Sequence, residues 1–369
     1  ISIDKLTLTR LGKYWPRDIK LNTRNWIARN LRNGTVSNVS LDLEISGPTV
    51  EAIDVTSFEG TANLNNIDVT YLSQMPPVIG TSGTMRLGIS EVIVDIDGGY
   101  VSQPNFQRTL AVESGRVRLH GLDTKASLAD IDLRIKGKLH DAVVLIDEEP
   151  LRYSSALGIT PSSVSGDAKI LLGIEFPLIQ QLSLNEVKIT AQASMTGTSI
   201  QEAAFGLPLE QGQFSLSLDK KGMNVTGTGA LGGILTGLSW RENFTDAIPY
   251  KRQYALDAVL KNEQWGLIGL NFPFFRPPYV DGPIRIEAIY TVSANNTSDL
   301  AIEADLRDSR LSAPQLSWEK PIGTDALLAA DLTLSGDRLV SIERFNVLSD
   351  MAGLRLNGQA NFTRDSELN

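Results

Sequence analysis

The stretch Val164-Ser165-Gly166-Asp167-Ala168-Lys169-Ile170-Leu171-Leu172-Gly173-Ile174-Glu175-Phe176 decides the fold class. Val164, Gly166, Ala168, Ile170, Leu172, Ile174 and Phe176 fall on one parity, and Ser165, Asp167, Lys169 and Glu175 on the other. Successive side chains of an extended strand point to opposite faces, so this period of two gives one oily face and one wet face. The same alternation runs through Val39, Leu41, Leu43 and Ile45 against Ser40, Asp42 and Glu44. It returns at Ile284, Ile286, Ala288, Tyr290 and Val292, at Leu328, Ala330, Leu332 and Leu334, and at Leu354, Leu356, Gly358, Ala360 and Phe362. An antiparallel sheet solvated on one side reads this way.

Roughly 20 such segments follow one another, separated by turn chemistry. Asp97-Gly98-Gly99, Asp219-Lys220-Lys221-Gly222 and Asn295-Asn296-Thr297 are the clearest turn clusters. Helical signals are few: 23–31, with Thr23 as N-cap before Trp26, Ile27 and Leu31, then 148–157 and 262–270. Regular alternation of strand and helix is missing, which excludes a doubly wound sheet. The expectation is an all-β chain with a few short helices, folded as an elongated, curled antiparallel sheet with an open hydrophobic groove.

A loose repeat points the same way. Tyr71-Leu72-Ser73-Gln74-Met75-Pro76-Pro77 runs into Gly83-Thr84-Met85-Arg86-Leu87, and Tyr153-Ser154-Ser155-Ala156-Leu157-Gly158 runs through Pro161 into Gly166-Asp167-Ala168. Pro277-Pro278-Tyr279-Val280 likewise runs into Gly282-Pro283-Ile284-Arg285-Ile286. Each is a short Pro-containing element, then Gly, then a strand. No Ser/Gly/Pro-rich linker divides the chain, so residues 1–369 are expected to form a single continuous segment.

Composition removes several function classes. Hydrophobic residues make up 42% and charged residues 21%, enough to bury a core and too apolar for a disordered chain. The net charge is −9 and no block of five like charges occurs, which argues against nucleic acid and against docking on an anionic bilayer surface. There is no cysteine, so disulfides, thiolate metal sites and Cys nucleophiles are out, in keeping with an oxidising compartment. No run of 18 apolar residues marks a membrane-spanning helix. The sequence starts inside a strand pattern and reads as part of something longer, with any membrane anchor outside it.

The motifs that suggest chemistry are weak. Gly227-Thr228-Gly229-Ala230-Leu231-Gly232 matches the dinucleotide spacing, but a strand pattern follows where a helix is required, so a glycine-rich strand is expected. Asp95-Ile96-Asp97-Gly98-Gly99 resembles part of a calcium loop without its closing Glu, and a hairpin turn is the expected reading. His120 and His140, with Asp123 and Asp141 nearby, need convergence in space to bind metal or move protons. Neither Ser82 nor Ser165 sits in a nucleophile elbow. No catalytic residue, metal or cofactor is expected. Trp240 and Trp318 end apolar strands beside charges; they suit an oil–water seam or cover the sheet's end. Phe272-Pro273-Phe274-Phe275-Arg276-Pro277-Pro278 is the most apolar loop, a plug, gate, partner contact or packed cover.

The stretch Trp26-Ile27-Ala28-Arg29-Asn30-Leu31-Arg32-Asn33-Gly34, followed by Val36, Val39, Leu41 and Gly47-Pro48, resembles the central region of YhdP-type proteins in the AsmA-like superfamily. So does the run from Leu157-Gly158-Ile159-Thr160-Pro161 through Val164-Ser165-Gly166, Phe176-Pro177-Leu178 and Gly222-Met223-Asn224-Val225 to Trp240-Arg241-Glu242-Asn243-Phe244. The similarity covers most of residues 15–290. It implies a sheet curled like a taco, open along one seam and oily inside, tethered to the inner membrane and extending through the periplasm. It also implies movement of phospholipids between inner and outer membranes, through regions outside this chain, by a scaffold monomeric along its groove. The family has no catalytic motif to transfer; only the inward parity of each strand carries over. On that reading the groove-facing candidates are Ala168, Ile170, Leu172, Ile174, Leu182, Leu184, Val187, Ile189, Phe214, Leu216, Leu218, Ile284, Ile286, Leu332 and Leu334.

Geometry permits such a conduit. Roughly 20 strands spaced about 4.8 Å apart extend for about 95 Å, and a trough as deep as one leaflet's hydrocarbon, about 15 Å, holds acyl chains. The main competitor is a structural β-solenoid whose interior is filled by its own side chains. An outer-membrane barrel needs aromatic girdles, which 7% aromatic residues do not supply. An enzyme acting on polysaccharide ranks last, for want of clustered acids and bases.

Overall fold

The computed structural model describes residues 2–8, 10, 28–47, 54–70, 75–124, 126–149, 151–179, 182–204, 206–245, 248–268, 277–293, 297–335 and 338–362. Among the described residues strands take 68% and helices 11%; 19 strands belong to a single large antiparallel sheet that does not close into a barrel. The expected all-β class is therefore what the chain adopts. Two compact units divide the chain, Ile1–Met195 and Thr196–Asn369.

In the first unit the strands are β1 (Ser2–Thr7), β2 (Leu31–Arg32), β3 (Thr35–Ser46), β4 (Asp54–Val69), β5 (Val78–Leu87), β6 (Glu91–Val101), β7 (Leu110–His120), β8 (Leu128–Lys138) and β9 (Val164–Pro177). From β3 to β9 each pairs antiparallel with the next in sequence; β1 lies on the outer side of β3, and β2 pairs with the end of β4. Such a meander needs only short reversals. One exception is the link from β8 to β9, which carries helices α1 (Leu139–Asp147) and α2 (Tyr153–Leu157).

Helix α1 was not legible in the sequence, because Val143-Val144-Leu145-Ile146 reads as strand by β-propensity. Tertiary contacts override that preference. Asp141 is fully buried and accepts the backbone N–H groups of Gln107 at 2.7 Å and Arg108 at 2.9 Å, fastening the helix to the loop between β6 and β7. Leu139, Val143 and Val144 are buried beneath it.

The second unit continues with β10 (Lys188–Ala204), β11 (Leu207–Asp219), β12 (Gly222–Leu231), β13 (Ile234–Asn243), β14 (Tyr250–Leu260), β15 (Val280–Asp281), β16 (Ile284–Ser293), β17 (Thr297–Asp305), β18 (Arg310–Ala313), β19 (Trp318–Lys320), β20 (Leu327–Ser335), β21 (Arg338–Ser349) and β22 (Leu354–Asn361). Strand β10 begins in the first unit and ends here. From β11 the antiparallel order is β11–β12–β13–β14–β16–β17–β20–β21–β22. The segments between β14 and β16 and between β17 and β20 leave the same end of the sheet. Together they build a separate three-stranded sheet, β15–β18–β19.

Turn chemistry explains the sharpest reversals. Asp219 pairs with Gly222, and its Oδ1 accepts the N–H of Lys221 at 2.7 Å and of Gly222 at 3.1 Å, so the cluster read as a turn is the β11–β12 hairpin. The glycine-rich run Gly227–Gly232 is the strand expected of it, the end of β12 leading into a two-residue turn. Gly232 and Gly233 hold φ of 57° and 81°, the left-handed pair that a tight hairpin demands. Gly227 has no room for a side chain, since a Cβ there meets Phe214 and the Gln213 carbonyl.

Several expectations need correction. Asp97-Gly98-Gly99 is not a turn: β6 runs through it, with an irregularity against β5 between the Ser82–Gly98 and Gly83–Ile96 pairs. A strand interrupted by a bulge and a hairpin turn share the same Asp-Gly signature. Asn262–Ile268 is a 3-10 segment, not an α-helix, and within 148–157 only Tyr153–Leu157 is helical. Residues 28–30 are helical, whereas 23–27 lie outside the described residues, as do 71–74, 272–276 and 294–296.

Candidate functional site

The register of the strands sorts the inward residues into rows that run across the sheet. In the first unit one row is Leu87–Val92–Leu119–Ala129–Phe176, and every member is buried. The next is Met85–Val94–Val117–Ile131–Ile174, where Val94 and Ile174 are only half-buried. In the third, Gly83–Ile96–Gly115–Leu133–Leu172, the last three members are half-buried. Beyond it Val112 and Ile135 are buried again, under the end where α1 packs, while Ile170 is half-buried. The first unit is thus well filled around β5–β8 and loosens towards β9.

In the second unit the contrast is sharper. The end row contains Leu231, Ile234, Leu260 and Ile284, all buried with Trp265, Leu306, Leu311 and Ala326 from the intervening segments. Lys320 closes this end. Its side chain is fully buried, and its ammonium donates to the carbonyls of Arg307 (3.3 Å), Pro321 (3.1 Å) and Thr324 (2.9 Å). Desolvation pushes its pKa down, with Asp305, Asp308 and Asp325 opposing that shift.

The middle row behaves differently. It runs Leu216–Val225–Trp240–Tyr254–Tyr290–Leu300–Leu332–Ile342–Ala360 across nine strands, and none of the nine is buried. Eight spacings of about 4.8 Å give a half-buried apolar stripe about 38 Å long. In the row beyond it Met223, Glu242 and Ser298 are buried, while Leu218, Arg252, Val292 and Leu334 are half-buried. In a self-filled core the centre is the most deeply covered part; here the centre is the least covered.

The aromatic part of this row is a ladder. Trp240 and Tyr254 stack with centroids 5.7 Å apart, and Tyr254 and Tyr290 at 6.4 Å. Beside it, on the same face, Arg252 grips Glu242 with Nε–Oε2 2.5 Å and Nη2–Oε1 3.1 Å, while Trp240 Nε1 donates to Oε2 at 3.2 Å. The guanidinium lies 5.9 Å from the Trp240 ring centroid. Hydrogen bonding to Glu242 raises the Arg252 pKa further, and burial raises that of Tyr254, so one stays cationic and the other a neutral phenol. Sequence reasoning marked Trp240 but missed this cluster. Its only signal is the period-2 placement of Glu242 and Arg252 on the oily parity.

The expected groove residues divide into several groups. Ile170, Leu172, Ile174, Ile189, Leu216, Leu218, Ile286, Leu332 and Leu334 are half-buried strand residues. Ala168, Phe214 and Ile284 are buried, Ile284 within the cluster that closes the strand ends. Leu182 and Val187 lie outside the strands and pack against the first unit's core, and the side chain of Leu184 lies outside the described residues. Trp318 covers a sheet end, donating to the Ala352 carbonyl at 2.8 Å.

The histidines do not converge. His120 ends β7, close to Asp130 at 3.1 Å but without hydrogen-bond geometry, whereas His140 lies in α1 at the other end of β8, 2.8 Å from Asp141. Among the described residues no group of three or more acidic or histidine side chains is placed to hold a metal ion, and no helix is long and apolar enough to cross a membrane. No family model, curated protein or solved structure matches this chain.

Proposed function

We propose that the inner face of this sheet carries the hydrocarbon chains of phospholipids, as a scaffold without catalytic residues in a lipid-transport protein of the bacterial periplasm. One observation carries the reading: all nine residues of the second unit's middle row are only half-buried, whereas the row at the strand ends around Leu260 and Ile284 is closed. Apolar side chains left partly in water forgo about 0.5 kcal/mol each, so the nine-residue row offers a guest on the order of 4 kcal/mol. Contiguous apolar surface of this extent on a folded chain marks a ligand or partner face. The resemblance to YhdP-type proteins, argued from the sequence, supports phospholipid as that guest and the space between inner and outer membranes as its setting.

A second reading, a structural sheet with a filled interior, is favoured in one place. Around β5–β8 the first unit packs Met85, Val92, Leu119, Ala129 and Ile131 into a continuous core. The test is native mass spectrometry of the purified chain. We expect co-purifying phospholipid, lost in Leu332→Asp and reduced in Leu172→Asp. Leu171 is Leu172's neighbour on the opposite face and 47% exposed, so Leu171→Asp keeps the lipid. A lipid-free wild-type chain, or equal loading in all three variants, refutes the proposal.

A further inference from the structure

The two ends of the second unit's inner face are chemically unlike. One is sealed by aliphatic side chains around Leu260 and Ile284. The other carries Glu242 and Arg252, the only charged residues on the inward rows of β11–β14, β16, β17 and β20. Glu242 is saturated by two contacts from Arg252 and one from Trp240, and its side chain is 4% exposed. Arg252 is 23% exposed. A guanidinium has five N–H donors, so two contacts to Glu242 and one with the Tyr254 side chain leave two for another acceptor. The carboxylate therefore positions the arginine, and the arginine is the member within reach of a ligand.

Resting on the lipid reading above, we propose that a glycerophospholipid seats its phosphodiester head at Arg252 and lays its tails along the strands towards Ile286. A planar guanidinium held by a carboxylate suits phosphate oxygens, and the Tyr254 phenol adjoins it in the same row set. From Arg252 to Ala258, the cross-strand partner of Ile286, is six residues. At 3.3 Å each that is about 20 Å, the depth of one leaflet's hydrocarbon plus the glycerol region. The aromatic row lies between the two, where amphipathic rings suit the boundary of oil and polar head.

The experiment uses the full chain incubated with vesicles of phosphatidylethanolamine carrying a diazirine either on the amine or at the end of one acyl chain. After irradiation, peptide mapping should place the head probe on residues 250–254 and the tail probe on 284–288. In the double variant Glu242→Gln, Arg252→Gln, which removes both charges and leaves no unpaired buried ion, lipid loading should persist. The head probe's share at 250–254 should fall at least fivefold. Head probe at the Ile284 end, or an unchanged map in the double variant, overturns the proposal while the lipid reading stands. Failure of both probes to load overturns the lipid reading itself. Inorganic phosphate at millimolar concentration should not displace the head probe; displacement marks a free-anion site and overturns the assignment to lipid.

Discussion

The first unit and the second are written in the same alternating code, yet the code ends in two different interiors. Around β5–β8 of the first, most inward residues are buried, with α1 pressed over one end and Asp141 holding it there. In the second, the closing material sits mainly at the strand ends: Trp265, Leu306, Leu311 and the Lys320 knot at one, the Glu242–Arg252 pair at the other. Between them every residue of the row from Leu216 to Ala360 is only half-buried. Alternation specifies which side of a strand is oily. What lies over that side is decided by the insertions between strands, and these differ.

The largest expected effect tests this difference directly. Leu119 is 2% exposed in the first unit, and Leu119→Asp buries an unpaired carboxylate, costing about 5 kcal/mol. Leu332, half-buried in the middle row of the second, tolerates Asp at about 1–2 kcal/mol, because the carboxylate reaches water. Urea melts followed by amide exchange in each unit will separate the two. Equal costs would mean that the two interiors are filled alike, and the comparison would collapse.

Lys320→Met is expected to come next, at about 2–4 kcal/mol. Methionine keeps the apolar stem but leaves the carbonyls of Arg307, Pro321 and Thr324 without their donor. The loss should appear as faster exchange in β18–β20 and leave the amides of β5–β8 unchanged. Because burial lowers this lysine's pKa in the fold, charge on it is disfavoured there. Its contribution therefore improves as pH rises from the folded value towards the unfolded one, and a wild-type melt should strengthen over that alkaline window where Lys320→Met does not.

Much of this fold was legible. Ile170, Leu172 and Ile174 against Lys169 and Glu175 announce one wet face and one oily face, and Asp219-Lys220-Lys221-Gly222 announces its hairpin, because local backbone chemistry fixes both. Helix α1 was hidden, since its cause is a carboxylate binding backbone groups more than thirty residues away. Ile284 reads like Ile286 in sequence, but one is sealed under Trp265's cluster and the other is half-open. Position along the strand relative to an insertion decides that, and no periodicity encodes it. Glu242 and Arg252 become a pair only through the β13–β14 register.

The smallest effect concerns the wet faces, which the comparison predicts to be interchangeable in a way the oily ones are not. On the first unit Asp95 bridges Arg116 at 2.6 Å and Arg86 at 2.9 Å across three strands. Its hydrogen bond with Arg116 is the main cause of a carboxyl pKa below the ordinary value. The second unit has a similar exposed pair, Arg344 and Asp331 at 2.7 Å. For Asp95 the folded pKa is depressed, so its stabilisation is present above the unfolded pKa and is lost as pH falls through the lowered folded value. Solvent screening limits Asp95→Asn to about 0.5 kcal/mol. We expect that difference from wild type to vanish below the carboxylate range and to shrink in molar salt, with the loading of phospholipid unchanged throughout. Loss of lipid on Asp95→Asn would show that the outer face participates in carriage, and that the two faces of the sheet are not independent.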